Sequence, residues 1–140
     1  MSTFRIQFTI PGPPKGKARA RHTKGGFTYT PEETVQYENL AKTCCHNVMT
    51  CPPVQGMVQV GIIAYYPIPK SASKKKRAGM ESGKLRPIVK PDLDNVMKVV
   101  CDALNQIAYR DDSQIVAASL VKMYSNTPRV EVEIIDVGGE

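Results

Sequence analysis

The sequence predicts an α+β domain: a small mixed or antiparallel sheet with two main helices packed on one face. Both ends of the chain carry strictly alternating apolar and polar residues, the period of a half-buried strand. Between them lie two stretches with apolar residues at helical spacing. A chain of 140 residues suffices for one domain, residues 1–140, with a core that needs no disulfide or structural metal.

Taken in order, Phe4, Ile6, Phe8 and Ile10 alternate with Arg5, Gln7 and Thr9 to make the first strand, which Pro11-Gly12-Pro13-Pro14 ends. A basic arm follows, residues 11–30, with Lys15, Lys17, Arg19 and Arg21 at every second position. In extended backbone these four cations share one face, about 6–7 Å apart. Gly25-Gly26 can turn the arm back onto Phe27-Thr28-Tyr29 as a hairpin, with His22 exposed on it. Thr30-Pro31-Glu32-Glu33 reads as a helix start, with Thr30 as cap, Pro31 in the first turn and Glu33 closing a capping box. Tyr37, Leu40, Ala41, Cys44 and Val48 form its predicted buried face, and Pro52-Pro53 stops it by Cys51. Nothing in this helix looks chemical. Met57 to Tyr66 reads as a second strand, with Gly61 hinting at a bulge or a close approach and one of Tyr65 and Tyr66 in the core.

Residues 67–90 have little apolar content and carry Lys70, Lys74, Lys75, Lys76, Arg77, Lys84, Arg86 and Lys90, which predicts a mobile basic loop. Leu93, Val96, Met97, Val100, Ala103, Leu104 and Ile107 then give one apolar helix face. Asp94, Lys98 and Asp102 recur every four residues on the opposite side. Pro91 disfavours helix at Lys90, so Asp92 or Asp94 caps the start. Asp111-Asp112 follow in a turn. Ile115–Tyr124 and Arg129–Asp136 are the last two strands, expected as an antiparallel hairpin with one wet face.

Charge divides the chain sharply. Residues 1–30 hold six Lys or Arg and no acid, and residues 67–90 hold eight and one. Between these basic arms and the last strands lie Asp92, Asp94, Asp102, Asp111 and Asp112, five of the thirteen acids. The net charge of +6 points to a polyanionic partner. Aspartates beside a polyanion grip repel phosphate unless a divalent cation binds both. Each feature alone has a plainer explanation: a helix cap, a solvated ion-pair ladder, a polar turn, a solvated basic ribbon. Their coincidence favours a metal site next to a DNA-binding surface. Cys44, Cys45, Cys51 and Cys101 show no paired spacing, and with His46 they fit no common zinc site, so free thiols in a reducing cytosol are expected. No apolar run reaches the ~20 residues that span a membrane.

The run K-P-D-L-D-N-x-x-K-x-x-x-D-A-L, then D-D-S-Q-I and K-M-Y, resembles the RusA family of Holliday junction resolvases. I-P-G-P-P-K-G-K-A-R-A-R, Y-T-P-E-E-T and P-K-S-A-S-K-K-K-R look like its phage and prophage branch. The resemblance implies a homodimer that binds four-way DNA junctions and nicks two opposing strands symmetrically, using magnesium and leaving ligatable ends. It implies a cytoplasmic setting in a bacterial or phage-infected cell. By position, Asp92 and Asp94 match two essential acids, Lys98 an essential lysine and Asp112 the third acid, with Asp111 as an additional metal donor. One or two Mg²⁺ would sit among these carboxylates. Lys15, Lys17, Arg19, Arg21, Lys70, Lys74, Lys75, Lys76, Arg77 and Lys90 would contact DNA. Gln106 stands where many relatives have glycine, and Ala72 where many have an aromatic. A non-catalytic junction or duplex binder, and a metal nuclease on other branched DNA, are the competing readings.

Overall fold

Alternation at the two chain ends becomes one antiparallel pair. In the computed structural model, which describes residues 4–18 and 20–138, β1 (Arg5–Pro11) pairs with β6 (Arg129–Asp136), Phe8 opposite Val132. Ile6, Phe8 and Ile10 turn inward with Val130, Val132 and Ile134. β4 (Val58–Pro67) lies on the far side of β6, and β5 (Ile115–Ser125) on the far side of β4, so the order is β1-β6-β4-β5. β4 runs antiparallel to β6 and parallel to β5. The hairpin expected between β5 and β6 is therefore not formed. β4 separates them because its inward residues Val58, Val60, Ile62, Ala64 and Tyr66 form the most continuous apolar row, which is best buried at the sheet's centre. The register shift between β4 and β5 falls at Val58/Gln59, not at Gly61, which meets only ordinary contacts.

Two helices cover the inward face. α1 (Glu32–His46) buries Thr34, Tyr37, Ala41 and Cys45 and packs against β1 and α3 (Leu93–Ala103). Its stripe is rotated from the predicted one: Leu40 and Val48 are each 37% exposed and Cys45 takes the deep position expected for Cys44. Pro31, not Thr30, sits at the cap, and the helix ends at His46, ahead of the Pro52-Pro53 stop. α3 buries Val96, Val99, Val100, Cys101 and Ala103, while Leu93 stays half-exposed and the helix closes at Leu104. Burial pushes the Cys45 thiol to about 12 and the Cys101 thiol to about 11, so both serve packing. Gln106 adopts a positive φ of 71°, the conformation for which glycine is the natural choice.

The basic segment corrects the prediction of a structureless loop. Lys74–Ser82 is a third helix, α2, with no buried residue. Ser73 accepts a hydrogen bond from the Lys76 amide at its start, and Gly83 closes it with φ 84°. The arm behaves as expected in part: β2 (Arg21–His22) and β3 (Thr28–Tyr29) pair as a short hairpin turned at Gly26, with His22 exposed.

Candidate active site

Local sequence fixes the start of α3. The cis Lys90–Pro91 peptide leads into Asp92, whose extended backbone (φ −66°, ψ 152°) makes it the N-cap. Asp92 nonetheless makes no side-chain capping bond, so its carboxylate is left free at the helix end, where the dipole favours negative charge. Asp94 stands on the first turn and Lys98 one turn on, both exposed. Among the described residues neither aspartate nor Lys98 forms an ion pair. These three groups are held by secondary structure and engaged by nothing, the condition of groups kept for a ligand.

The segment entering Asp92 is gripped from the sheet. The Tyr66 phenol donates to the Pro91 carbonyl. Lys122 donates to the Val89 carbonyl at 2.8 Å and lies 4.7 Å over the Tyr66 ring. Burial, and then the nearby Asp92 charge, push the Tyr66 phenol to about 12, so it remains a proton donor across the neutral range. The basic arm closes the other side. Gly16 lies against the start of α3, where an added Cβ would stand 3.0 Å from Pro91 and 3.1 Å from Asn95, and the Lys17 amide donates to the Asn95 carbonyl. The cleft between arm and helix holds about 530 Å³ and is lined by Lys15, Gly16, Tyr66, Val89, Lys90, Asp92 and Asn95, among others.

The remaining acids lie at the other end of α3. Asp111 caps a short 3-10 helix, Asp112–Gln114, and its carboxylate accepts from the Ser113 amide; the Ser113 side chain first, and then that amide, hold it below its ordinary range. Asp112 faces Asp102. Partial desolvation, then the charges of Asp111 and Asp102, raise the Asp112 carboxyl above its ordinary range. Gln114 anchors this turn: it accepts from the Arg110 and Asp111 amides and donates to the carbonyls of Val54 and Gly56. Asp92 and Asp102 are ten residues apart on one helix, about 15 Å. Within one chain the turn therefore lies away from the helix start, and no group of three His, Cys, Asp or Glu among the described residues is arranged to hold a metal.

The cations divide too. Lys17 is turned inward, 2.9 Å from Glu38 and 3.3 Å from Asp102. Burial alone would lower its pKa, but those two carboxylates outweigh the burial and raise it. Lys17 thus ties the arm to α1 and α3 and does not continue an outward row with Lys15 and Arg21, which are exposed. Arg19 lies outside the described residues. Lys70, Lys74, Lys75, Lys76 and Lys90 are exposed, and Arg77 is half-buried, donating to the Pro69 carbonyl. Sequence reasoning passed over Gly16, Tyr66, Gln114 and Lys122 as parts of the site. Two of them sit inside the D-D-S-Q-I and K-M-Y runs, which was the available signal.

Exposed paired acids on a basic α+β scaffold define a class of DNA-cutting enzyme, and the chain belongs to the RusA family of endodeoxyribonucleases: the profile described as endodeoxyribonuclease RusA matches residues 11–135. The chain is 38% identical over 137 residues to the uncharacterised protein YqaN of Bacillus subtilis (strain 168), covering 94% of this chain and 96% of that one. It is 28% identical over 142 residues to the crossover junction endodeoxyribonuclease RusA of Escherichia coli (strain K12), covering the whole of both chains. No helix among the described residues is long and apolar enough to cross a membrane.

Proposed function

We propose that this chain is a Mg²⁺-dependent endodeoxyribonuclease that resolves four-way DNA junctions by paired symmetric nicks, as a homodimer, in cytoplasmic DNA recombination and repair. The observation that carries the reading is the free group Asp92, Asp94 and Lys98 on the first turns of α3, with Asp92 lining a cleft walled by the basic arm and Lys90. Carboxylate oxygens are the donors magnesium prefers, so Asp92 and Asp94 suit the ion, while Asp112 stands apart in a single chain. Bound there, the ion would supply a hydroxide nucleophile and charge for the leaving oxygen. Lys98 offsets charge that develops on the phosphate. Lys15, Arg21, Lys90 and the exposed lysines of α2 bind the sugar-phosphate backbone, and Tyr66 with Lys122 keep the Asp92 segment in place. Asp111 serves as a cap, and Asp102 as the partner of Lys17.

A magnesium titration against labelled four-way junction and linear duplex tests the function. Paired nicks at symmetric positions in the junction are expected, with the duplex left intact. Binding without nicks at any magnesium concentration would reduce the chain to a junction binder; nicks on flaps but not on four-way junctions would move it to other branched DNA. Asp94→Asn should bind the junction at least as tightly as the parent, because a charge repelling phosphate is gone, and should not cut. A folded Asp94→Asn that binds weakly would count against this placement of the acid.

A further inference from the structure

The chain has six tyrosines and three phenylalanines. Among these described residues only Phe27 and Tyr29 are exposed, Phe27 by 76% and Tyr29 by 47%. Both stand on the β2-β3 hairpin, a two-stranded sheet separate from the main one. Aromatic rings are ordinarily placed in cores and interfaces, so two left open on one short element call for an occupant.

Register gives the hairpin two different faces. Arg21 lies opposite Tyr29, and His22 opposite Thr28. The Thr23 amide donates to the Phe27 carbonyl and the Phe27 amide to the Thr23 hydroxyl, so the ladder extends to Phe27, two residues before Tyr29. Residues two apart on a strand, and residues directly opposed, share a face. Phe27, Tyr29 and Arg21 therefore stand on one face, while His22 and Thr28 bond to each other on the other. The Phe27 ring rests along Gly25, 3.5 Å from where a Cβ would stand, and its outer side is open. Lys24 is exposed at the turn, and no acid precedes Glu32 in the chain. A cleft of about 460 Å³ at the foot of the hairpin is lined by Lys15, Arg21, Tyr29 and the first turn of α1, Glu32 and Glu33 included. Lys15 also lines the cleft at Asp92, so the two adjoin. From Lys17, docked at Asn95, to Thr23 beside Phe27 is at most about 20 Å of chain, or roughly six base steps of duplex.

We propose that Phe27 stacks on a base laid open at the branch of the junction, with Tyr29 beside it and Arg21 and Lys24 on the flanking phosphates. This deepens the nuclease reading and rests on it for the substrate. Bases inside an intact duplex are covered on both sides, whereas a branch leaves bases that lack a stacking neighbour. A ring can cover such a base whatever its identity, because every base has a π-face. Cations alone would suffice to hold phosphate and would not need two open rings. An apolar protein surface, in turn, would have to bury Arg21 and Lys24 without any acid from the arm to pair them. Rings and cations on one ribbon match unstacked nucleic acid on both counts. Phe27 is thus a specificity-determining residue: it favours branched over linear DNA within reach of the acids.

The chain contains no tryptophan, so Phe27→Trp supplies a single reporter at the tip. With divalent metal chelated to prevent cutting, its emission should be quenched by a four-way junction and left unchanged by linear duplex. Phe27→Ala should bind the junction about tenfold less tightly and the duplex as the parent does. Phe27→Leu, apolar but without a π-face, should share that loss, and Phe27→Trp should restore the parental affinity. Emission that stays constant while the junction binds, or a Phe27→Leu variant with parental affinity, overturns the stacking. So does an equal loss on junction and duplex, which would make Phe27 a general DNA contact. Emission that changes with protein concentration alone would put a second copy on this face and overturn the proposal too. These readouts require binding but no cutting. A parent that binds the junction, quenches through Phe27→Trp and never nicks overturns the nuclease reading alone; a parent that nicks while Phe27→Trp keeps its emission overturns the stacking alone.

Discussion

Asp112 shows a residue placed against its own stability. Its carboxyl lies between Asp111 and Asp102 and is raised above the ordinary value by partial desolvation and by those two charges. Because the folded-state value exceeds the unfolded one of about 3.9, folding favours the protonated acid. The arrangement therefore costs nothing below the unfolded value, and its cost grows as pH rises through the folded value. Asp112→Asn should raise the melting temperature slightly at pH 7 and leave it unchanged at pH 3, while abolishing junction nicking. Thermal melts at the two pH values check this; a lower melting temperature at pH 7 would mean that Asp112 is a structural anchor. The acids proposed for the site stand out in the sequence because K-P-D-L-D-N and D-D-S-Q-I are local patterns. Their distances were not, because the path from Ala103 to Asp111 is set by the Tyr109 phenol bonding to the Cys101 carbonyl and by Gln114 reaching Val54 and Gly56, contacts no spacing rule contains.

At the level of elements, strands declared themselves where one face is wet. β1 and β6 alternate and were legible; the order of strands was not, since pairing of β4 with both β5 and β6 depends on contacts distant in sequence. α2 escaped because it buries nothing and so has no apolar period, although its two ends, Ser73 and Gly83, were in plain view. As a helix it fans Lys74, Lys75 and Lys76 around its first turn on a fixed backbone. Replacing these three by Gln should reduce the slope of log affinity against log salt by up to about 2.7, at ~0.9 for each phosphate no longer neutralised; an unchanged slope would place α2 away from DNA. The arm depends on the absence of a side chain at Gly16. Gly16→Ala should push it off Pro91 and Asn95, cost about 1–2 kcal/mol in denaturant unfolding and weaken junction binding. An Ala variant with parental stability and affinity would mean that the neighbouring side chains yield freely.

On the scale of the molecule, the two faces of the sheet have separate tasks. The helix face carries the free acids together with Lys15 and Lys90. The bare face holds a groove of about 630 Å³ edged by Glu131 and Glu133, which pair with Arg129 and Arg5. Those local pairs leave little positive field there for a phosphate chain. Glu131→Gln with Glu133→Gln should leave both the salt slope of junction binding and the nicking rate at parental values; a steeper slope would put DNA on this side. The same separation reaches the segment in front of the acids. Tyr66 and Lys122 grip it by the carbonyl oxygens of Pro91 and Val89, atoms that every amino acid possesses. Side chains at 88 and 89 are thereby relieved of any duty in holding the acids, so natural drift or deliberate redesign can rewrite them while Asp92 and Asp94 stay where they are.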